Sequence, residues 1–315
     1  MRVFVTGASG WIGSATVKEL QGAGHHVVGL ARSNASAAKL EAAGVEVLRG
    51  DLDDLDVLTS AASGSDGVIH LAFKHDLAFS GGFQEAADAD RLAVETIADA
   101  LEGSNKPFVL ASGLLGMSPG KLLSEKDGHG IDPAQAGVGG GPGTRYQTAE
   151  FVLSLSSRGI RSSIVRLPPT NHGDGDNGFM ATIVNIARDK GVSAYVGDGS
   201  NRWPAVHRLD SATLFRLAVE SAPAGSTLHA VAEEGVPLRD VAAVIARHLH
   251  VLEVSITPEE APGHFTWMAG FIGMDAPSSG SITQELLSWE PLHVGLLADL
   301  DEGHYFSTEV TPFNA

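Results

Sequence analysis

The chain has 315 residues, 43% of them hydrophobic, and carries 21 Lys+Arg against 38 Asp+Glu, a formal charge of -17. That length supports one large domain or two smaller ones, and so negative a surface repels nucleic acid and anionic membranes unless a local basic patch intervenes. With no cysteine, disulfides, thiolate nucleophiles and Cys-based metal sites are excluded.

The first stretch organises the rest. Val3, Phe4, Val5 and Thr6 read as a strand, Gly7, Gly10 and Gly13 follow at Gly-x-x-Gly-x-x-Gly spacing, and Ile12, Ala15, Thr16, Leu20 and Ala23 mark one helical face. Gly7 suits the positive φ of a sharp turn, Gly10 lets a pyrophosphate approach the backbone, and Gly13 lets the helix pack close to the strand. The free N–H groups of such a helix start attract anions. The bland alternative is an ordinary glycine-rich turn; the position between a strand and a helix favours nucleotide binding.

Strands expected over 26–31, 45–48, 67–72, 108–111 and 160–166 alternate with helices over 35–43, 54–62, 85–101 and 144–157. This alternation predicts an α/β protein with a parallel sheet covered on both faces. Residues 113–143 break the rhythm, and the run 137–143 (GVGGGPG) is expected to be a mobile loop beside the active site or a surface insertion. Helices over 179–189, 212–221 and 238–250 and strands over 194–196 and 228–231 follow. The expected organisation is a dinucleotide-binding region, 1–170, and a smaller, mainly substrate-capping region, 171–315, whose elements are free to return to the sheet. No apolar run approaches the roughly 18 residues of a spanning helix. The first strand begins almost at Met1, leaving no room for a signal peptide. A cytoplasmic enzyme without nucleic-acid or membrane partners is expected; a homodimer is compatible with the sequence.

Several pieces then carry a family resemblance: Thr6-Gly7-Ala8-Ser9-Gly10-Trp11-Ile12-Gly13, Gly50-Asp51-Leu52, His70-Leu71-Ala72, Arg166-Leu167-Pro168-Pro169-Thr170-Asn171-His172-Gly173 and Val206-His207-Arg208-Leu209-Asp210. In this order they resemble the short-chain dehydrogenase/reductase superfamily, most closely its extended and atypical members related to nucleotide-sugar epimerases and dehydratases. The resemblance covers about two thirds of the chain. It implies a Rossmann-type, doubly wound sheet with a nicotinamide dinucleotide across its carboxyl edge. It also implies contacts from the phosphate turn, including Ser9, Trp11 and Ile12, from Asp51 and Leu52 at the adenine, and from Leu71, Ala72 and Phe73 at the ribose. Pro168 and Pro169 fix a loop whose backbone receives the nicotinamide carboxamide. One departure matters: the family's Tyr-x-x-x-Lys is absent. If Glu150 is aligned with an acid common in that helix, Pro142 falls on the tyrosine and Tyr146 on the lysine.

The residues after the second strand bear on the cofactor. An NAD site places an acid there for the ribose 2′-hydroxyl. This chain has Arg32 and Ser33 instead, which suit the 2′-phosphate of NADP(H), the alternative being a solvated arginine opening a loop. Asp51 competes with a helix N-cap reading. His75 is a candidate proton donor or substrate contact, against an exposed loop histidine. Ser112, at the end of the fifth strand, is placed to hydrogen-bond a substrate carbonyl or merely to satisfy backbone. Tyr146 is the tyrosine nearest the family's catalytic position, and its phenol would need a depressed pKa to act efficiently, with Arg145 as a source of positive potential. Asn171 and His172 are candidate substrate contacts, and Trp203 a candidate wall of an apolar pocket, with core packing as the alternative. No His-Glu-x-x-His or comparable metal pattern appears, so no metal is expected. These features favour an NADP(H)-dependent oxidoreductase acting on a small ketone or aldehyde. A nucleotide-sugar epimerase or dehydratase, whose substrate diphosphate Arg188, Arg202, Arg208 and Arg216 are available to clamp, is one alternative. A catalytically silent NADP-binding sensor is the other.

Overall fold

A computed structural model of the chain describes residues 1–117, 120–130 and 140–307. Among these residues the strands are β1 Arg2–Thr6, β2 His26–Ala31, β3 Glu46–Arg49, β4 Gly67–His70, β5 Pro107–Gly113, β6 Arg161–Leu167, β7 Thr170–His172, β8 Val192–Val196, β9 Arg202–His207, β10 Ser226–His229, β11 Glu233–Pro237 and β12 Leu252–Ile256. The helices begin with α1 Trp11–Gly22, α2 Asn34–Ala42, α3 Leu55–Ser63, the short turn α4 His75–Leu77 and α5 Phe83–Leu101. They continue with α6 Gly140–Ser154, α7 Phe179–Lys190, α8 Arg208–Ser221 and α9 Leu238–Leu249. Four short helices follow: α10 Ala261–Phe265, α11 Ala269–Ile272, α12 Ser281–Leu287 and α13 Leu296–Asp301.

Seven strands form one sheet in the order β10-β6-β5-β4-β1-β2-β3, every neighbouring pair parallel. Alternation along β1 feeds two cores. Val3 and Val5 join Val17 and Leu20 of α1 and Leu214, Phe215 and Ala218 of α8 on one face. Phe4 turns to the other face and packs with Leu58 of α3 and Val94, Ile97 and Leu101 of α5. Each of those α5 side chains is fully buried, worth about 1.5–3 kcal/mol apiece. The strand order reverses between β1 and β4, so a crevice opens at the carboxyl ends of these two strands.

The later part builds a third core around Trp203, Ile245, Phe265 and Tyr305. It rests on the three-stranded sheet β11-β9-β7 and the parallel pair β12-β8. Helix α9 shows why: Leu238, Val241, Ala242 and Ile245 recur at helical spacing and are all buried. The division at residue 170 is not a clean cut. Strand β10 pairs with β6 at the edge of the large sheet, and α8 packs on α1. The glycine run is also shorter as a loop than the sequence suggests. Gly140 to Gly143 form the first turn of α6, while residues 137–139 lie outside the described residues. No helix of the described residues is long and apolar enough to cross a membrane.

Candidate functional site

The glycine turn sits at the switch point. Gly7 has φ +67°, and a Cβ there would stand 2.8 Å from the Ala72 nitrogen, so the turn after β1 abuts the end of β4. The Gly10 N–H donates to the Gly7 carbonyl at 2.9 Å. A Cβ on Gly13 would come within 2.0 Å of that same carbonyl oxygen. Helix α1 begins at Trp11 with Gly10 as N-cap, no capping side chain and no acid in its first turn. Its first N–H groups therefore have no intrahelical or side-chain acceptor, and the helix dipole adds to their attraction for an anion. A dinucleotide pyrophosphate fits this cradle. Ser9 lies in the turn and Ile12 packs partly against the first core.

A buried polar chain fixes the opposite lip of the crevice. The Leu71 and Ala72 N–H groups both donate to Thr6 Oγ1 at 3.2 Å. Thr6 Oγ1 lies 3.0 Å from His70 Nδ1, and His70 Nε2 lies 3.2 Å from Asp90 Oδ1. A carboxylate accepts only, so in the neutral ring Nε2 donates to Asp90 and Nδ1 accepts the Thr6 proton. Burial works against the Asp90 charge, but the His70 hydrogen bond and the nearby Arg145 guanidinium outweigh it and hold this pKa below the usual carboxylate value. The sequence signal for Asp90 was available: it is a carboxylate on the otherwise apolar stripe of α5.

At the end of β2, Arg32 Nη2 pairs with Asp76 Oδ2 at 2.6 Å, both side chains well exposed. Ser33 caps α2: its hydroxyl accepts from the Ser36 N–H, and Ser36 Oγ accepts from the Ser33 N–H. Its hydroxyl is thus already committed to the helix. Arg49, which the sequence reading passed over, donates from Nη1 to the Ser33 carbonyl and from Nη2 to Asn34 Oδ1, both at 2.7 Å. Asp51 is not the cap of α3; that position is Asp54, while Asp51 accepts from the Leu52 N–H at 2.5 Å. Leu52 is buried in the second core. Lys74 pairs with Asp53 at 2.5 Å, with Asp51 at 3.9 Å.

The residues that the sequence nominates for chemistry lie on β5, α6 and the turn after β4. Ser112 is paired in register with Arg166. Arg166 is buried and donates to the carbonyls of Asp127 and Gly128 and to His229 Nε2, so its role is to tie the 124–130 loop to the sheet. The Tyr146 hydroxyl donates to the Leu115 carbonyl at 3.1 Å. Burial raises its pKa, and the opposing charge of Arg166 is the smaller effect. Tyr146 therefore lacks the depressed pKa that efficient proton donation would need. Arg145 does not supply the positive potential either; its guanidinium stacks over Phe73 at 4.0 Å and donates to the Ala111 carbonyl. His75 is exposed as a residue, but its ring is crowded between Phe73 at 5.0 Å and Phe79 at 5.9 Å. Crowding first, then the Arg145 charge, lowers its pKa to about 4. A ring neutral at pH 7 is a poor proton donor, which weakens that candidate.

Pro168 is buried and Pro169 half-buried after β6. The Asn171 carbonyl accepts from Trp11 Nε1 at 3.2 Å, its Nδ2 donates to Ser211, and its buried Oδ1 has no hydrogen-bond partner. Arg208 lies 4.0 Å over the Trp11 ring, so the start of α8 is tied to the start of α1. His172 is fully buried with Nδ1 on Asp299 Oδ2 at 2.9 Å. Trp203 is 1% exposed and donates to the Met274 carbonyl, which makes it core and not a pocket wall. A chain of rings runs from His75 through Phe79 and Trp267 to Phe179 and Phe271, with neighbouring centroids 5.2–6.3 Å apart. Among the described residues, Asp299, Glu302 and His304 bring three metal-capable atoms within 4.8 Å of one another. Asp299 already accepts from His172, and no further donor joins them.

This fold and this turn define a Rossmann-type protein of short-chain dehydrogenase/reductase character. Residues 3–127 match the NAD dependent epimerase/dehydratase family. An uncharacterized protein of Schizosaccharomyces pombe is 44% identical over 306 residues, which covers 97% of this chain and 100% of that protein. A 4-hydroxy-2-methyl-3-oxo-4-farnesyl-3,4-dihydroquinoline-1-oxide ketoreductase of Stigmatella aurantiaca is 27% identical over 226 residues, covering 71% of this chain and 66% of its own. Among solved structures, a double mutant of a dTDP-glucose 4,6-dehydratase from Streptomyces venezuelae, with NAD and DAU bound, has a TM-score of 0.75 at 18% identity over 98% of both chains. The chain belongs to the NAD dependent epimerase/dehydratase family, whose enzymes use a nicotinamide dinucleotide.

Proposed function

We propose that the protein is an NADP(H)-dependent reductase of small, largely apolar ketones or aldehydes. The observation that carries this reading is Arg32: a guanidinium stands at the end of β2 where an NAD site would place a carboxylate. NADPH, when bound, supplies the hydride that reduces the carbonyl carbon. The α1 start would hold the pyrophosphate, and Arg32 the 2′-phosphate. Ser112 would donate a hydrogen bond to the substrate oxygen. Tyr146 would release its phenolic proton to that oxygen as the carbon–oxygen double bond becomes single, and regain one from solvent. Its raised pKa keeps the proton on the phenol at neutral pH but makes it a weaker acid than a free tyrosine.

The aromatic side chains near His75 support an apolar substrate. A nucleotide-sugar reading is supported by solved structures of like fold, but its diphosphate clamp is weakly supplied. Arg202 is held by both oxygens of Asp275, and Arg216 is shared between Glu19 and Glu220.

The test is NADPH consumption across a carbonyl panel, followed by Tyr146→Phe. Turnover by wild type and a loss of roughly 10²–10⁴-fold in kcat for the variant, with NADPH affinity unchanged, are expected. A kcat within a few-fold of wild type assigns the proton to another group. No turnover on any carbonyl, or a nucleotide sugar found by mass spectrometry in the purified protein, defeats the reductase reading.

A further inference from the structure

Residue Arg49 faces the cofactor-specificity position from the neighbouring strand. In the parallel register of β2 and β3, Arg49 is the partner of Ala31, the residue before Arg32. Its guanidinium reaches past Arg32 to the two residues that follow, on the Ser33 carbonyl and the Asn34 side chain. Both acceptors are neutral. Among the described residues no carboxylate pairs with Arg49, whereas Arg32 is neutralised by Asp76. The turn 32–34 is therefore bracketed by two guanidinia, one uncompensated and one held by an exposed acid on the turn after β4.

We infer that Arg49 and Asp76 set the cofactor preference together with Arg32. Arg49 supplies a second guanidinium to the 2′-phosphate, and Asp76 is the anion which that phosphate displaces from Arg32. This rests on the NADP(H) reading above. A dianionic phosphate suits two forked cations better than one. A cofactor with a bare 2′-hydroxyl brings no charge to exchange for Asp76, so the Arg32–Asp76 pair stays intact and NAD(H) binding is insensitive to Asp76. Asp76 thus weakens the binding of NADP(H) alone and narrows the preference that Arg32 and Arg49 create.

Titration calorimetry with NADP+ and NAD+ on wild type, Arg49→Met and Asp76→Asn tests this. Arg49→Met should weaken NADP+ binding by roughly 10- to 100-fold and leave NAD+ within twofold. Asp76→Asn should tighten NADP+ by about two- to fivefold, since an exposed ion pair is worth little, and leave NAD+ unchanged. Equal effects of Arg49→Met on both cofactors, or no effect, overturn the role of Arg49. An Asp76→Asn protein that binds NADP+ no more tightly than wild type overturns the exchange. Wild type binding both cofactors equally overturns the NADP(H) reading itself, and that outcome is visible before any variant is made. Should Arg49→Met not fold, Arg49→Gln replaces it, with melting temperature as the control for both.

Discussion

Two glycines of one helix should respond oppositely to the same substitution. In Gly13→Ala the added methyl meets the Gly7 carbonyl oxygen at 2.0 Å, the Gly7 carbonyl carbon at 2.8 Å and the Ala8 Cα at 3.0 Å. All three are backbone, so no rotamer relieves them, and the start of α1 must retreat from the turn by on the order of 1 Å to restore ordinary contact. Alanine's better helix propensity returns at most about 1 kcal/mol. Three backbone clashes put this site at the upper end of the about 1–3 kcal/mol that overpacking costs, so after the propensity gain a net loss of about 2 kcal/mol is expected. In Gly22→Ala the methyl meets nothing within 4 Å, and the same propensity term leaves stability unchanged or raised by a few tenths of a kcal/mol. Urea unfolding of both variants measures the difference, and cofactor titration should show weaker binding for Gly13→Ala alone. If Gly13→Ala is as stable as Gly22→Ala and binds cofactor equally well, the close helix–strand approach is not a constraint and the argument for the cradle falls.

Thr6→Val keeps the shape of Thr6 but strips the acceptor from the Ala72 N–H, one of two acceptors from the Leu71 N–H, and the proton from His70. It should cost about 2–4 kcal/mol in urea unfolding, and a loss under 1 kcal/mol would show that the lip is held by other contacts. His229 is buried with Nδ1 on the Ser279 carbonyl, and desolvation lowers its pKa to about 3. It stays neutral in the fold while the unfolded chain takes up a proton near pH 6.5, so its contribution is full above that pH and is lost as pH falls from there toward 3. Between pH 8 and pH 5 this amounts to about 2 kcal/mol. Asp176, raised to about 6 by burial, acts in the opposite direction. The difference in pH slope between wild type and His229→Gln therefore isolates the His229 share, and parallel slopes would count against it.

Much of the large sheet was legible because buried parallel strands read as continuous apolar runs and the glycine spacing marks the first turn. The errors have physical causes. Residues 67–72 read as one strand, but β4 ends at His70, where the Thr6 hydroxyl takes the Ala72 N–H and shares the Leu71 N–H with the Thr6 carbonyl. Strands β7, β9, β11 and β12 carry Asn, His, Arg and Glu and run only three to six residues, too short and too polar for periodicity to show. Trp203 invited a pocket reading, yet β9 lies between β11 and β7, so it faces core. The Arg32–Asp76 and Thr6–His70–Asp90 contacts join residues far apart in the chain, and only folding brings them together.

The return of β10 to the large sheet has a consequence for how the chain is made. Strand β6 has β5 on one side and waits for β10 on the other, sixty residues later, while the α1 face of the sheet waits for α8. On a ribosome the dinucleotide-binding part therefore cannot close when its own six strands have emerged. Until residue 229 is out, β6 is an open edge, and until residue 221 is out Val17 and Leu20 lack their partners on α8. The 170–207 segment is made in between, so the large sheet gains its last strand only after β7, β8 and β9 have been synthesised.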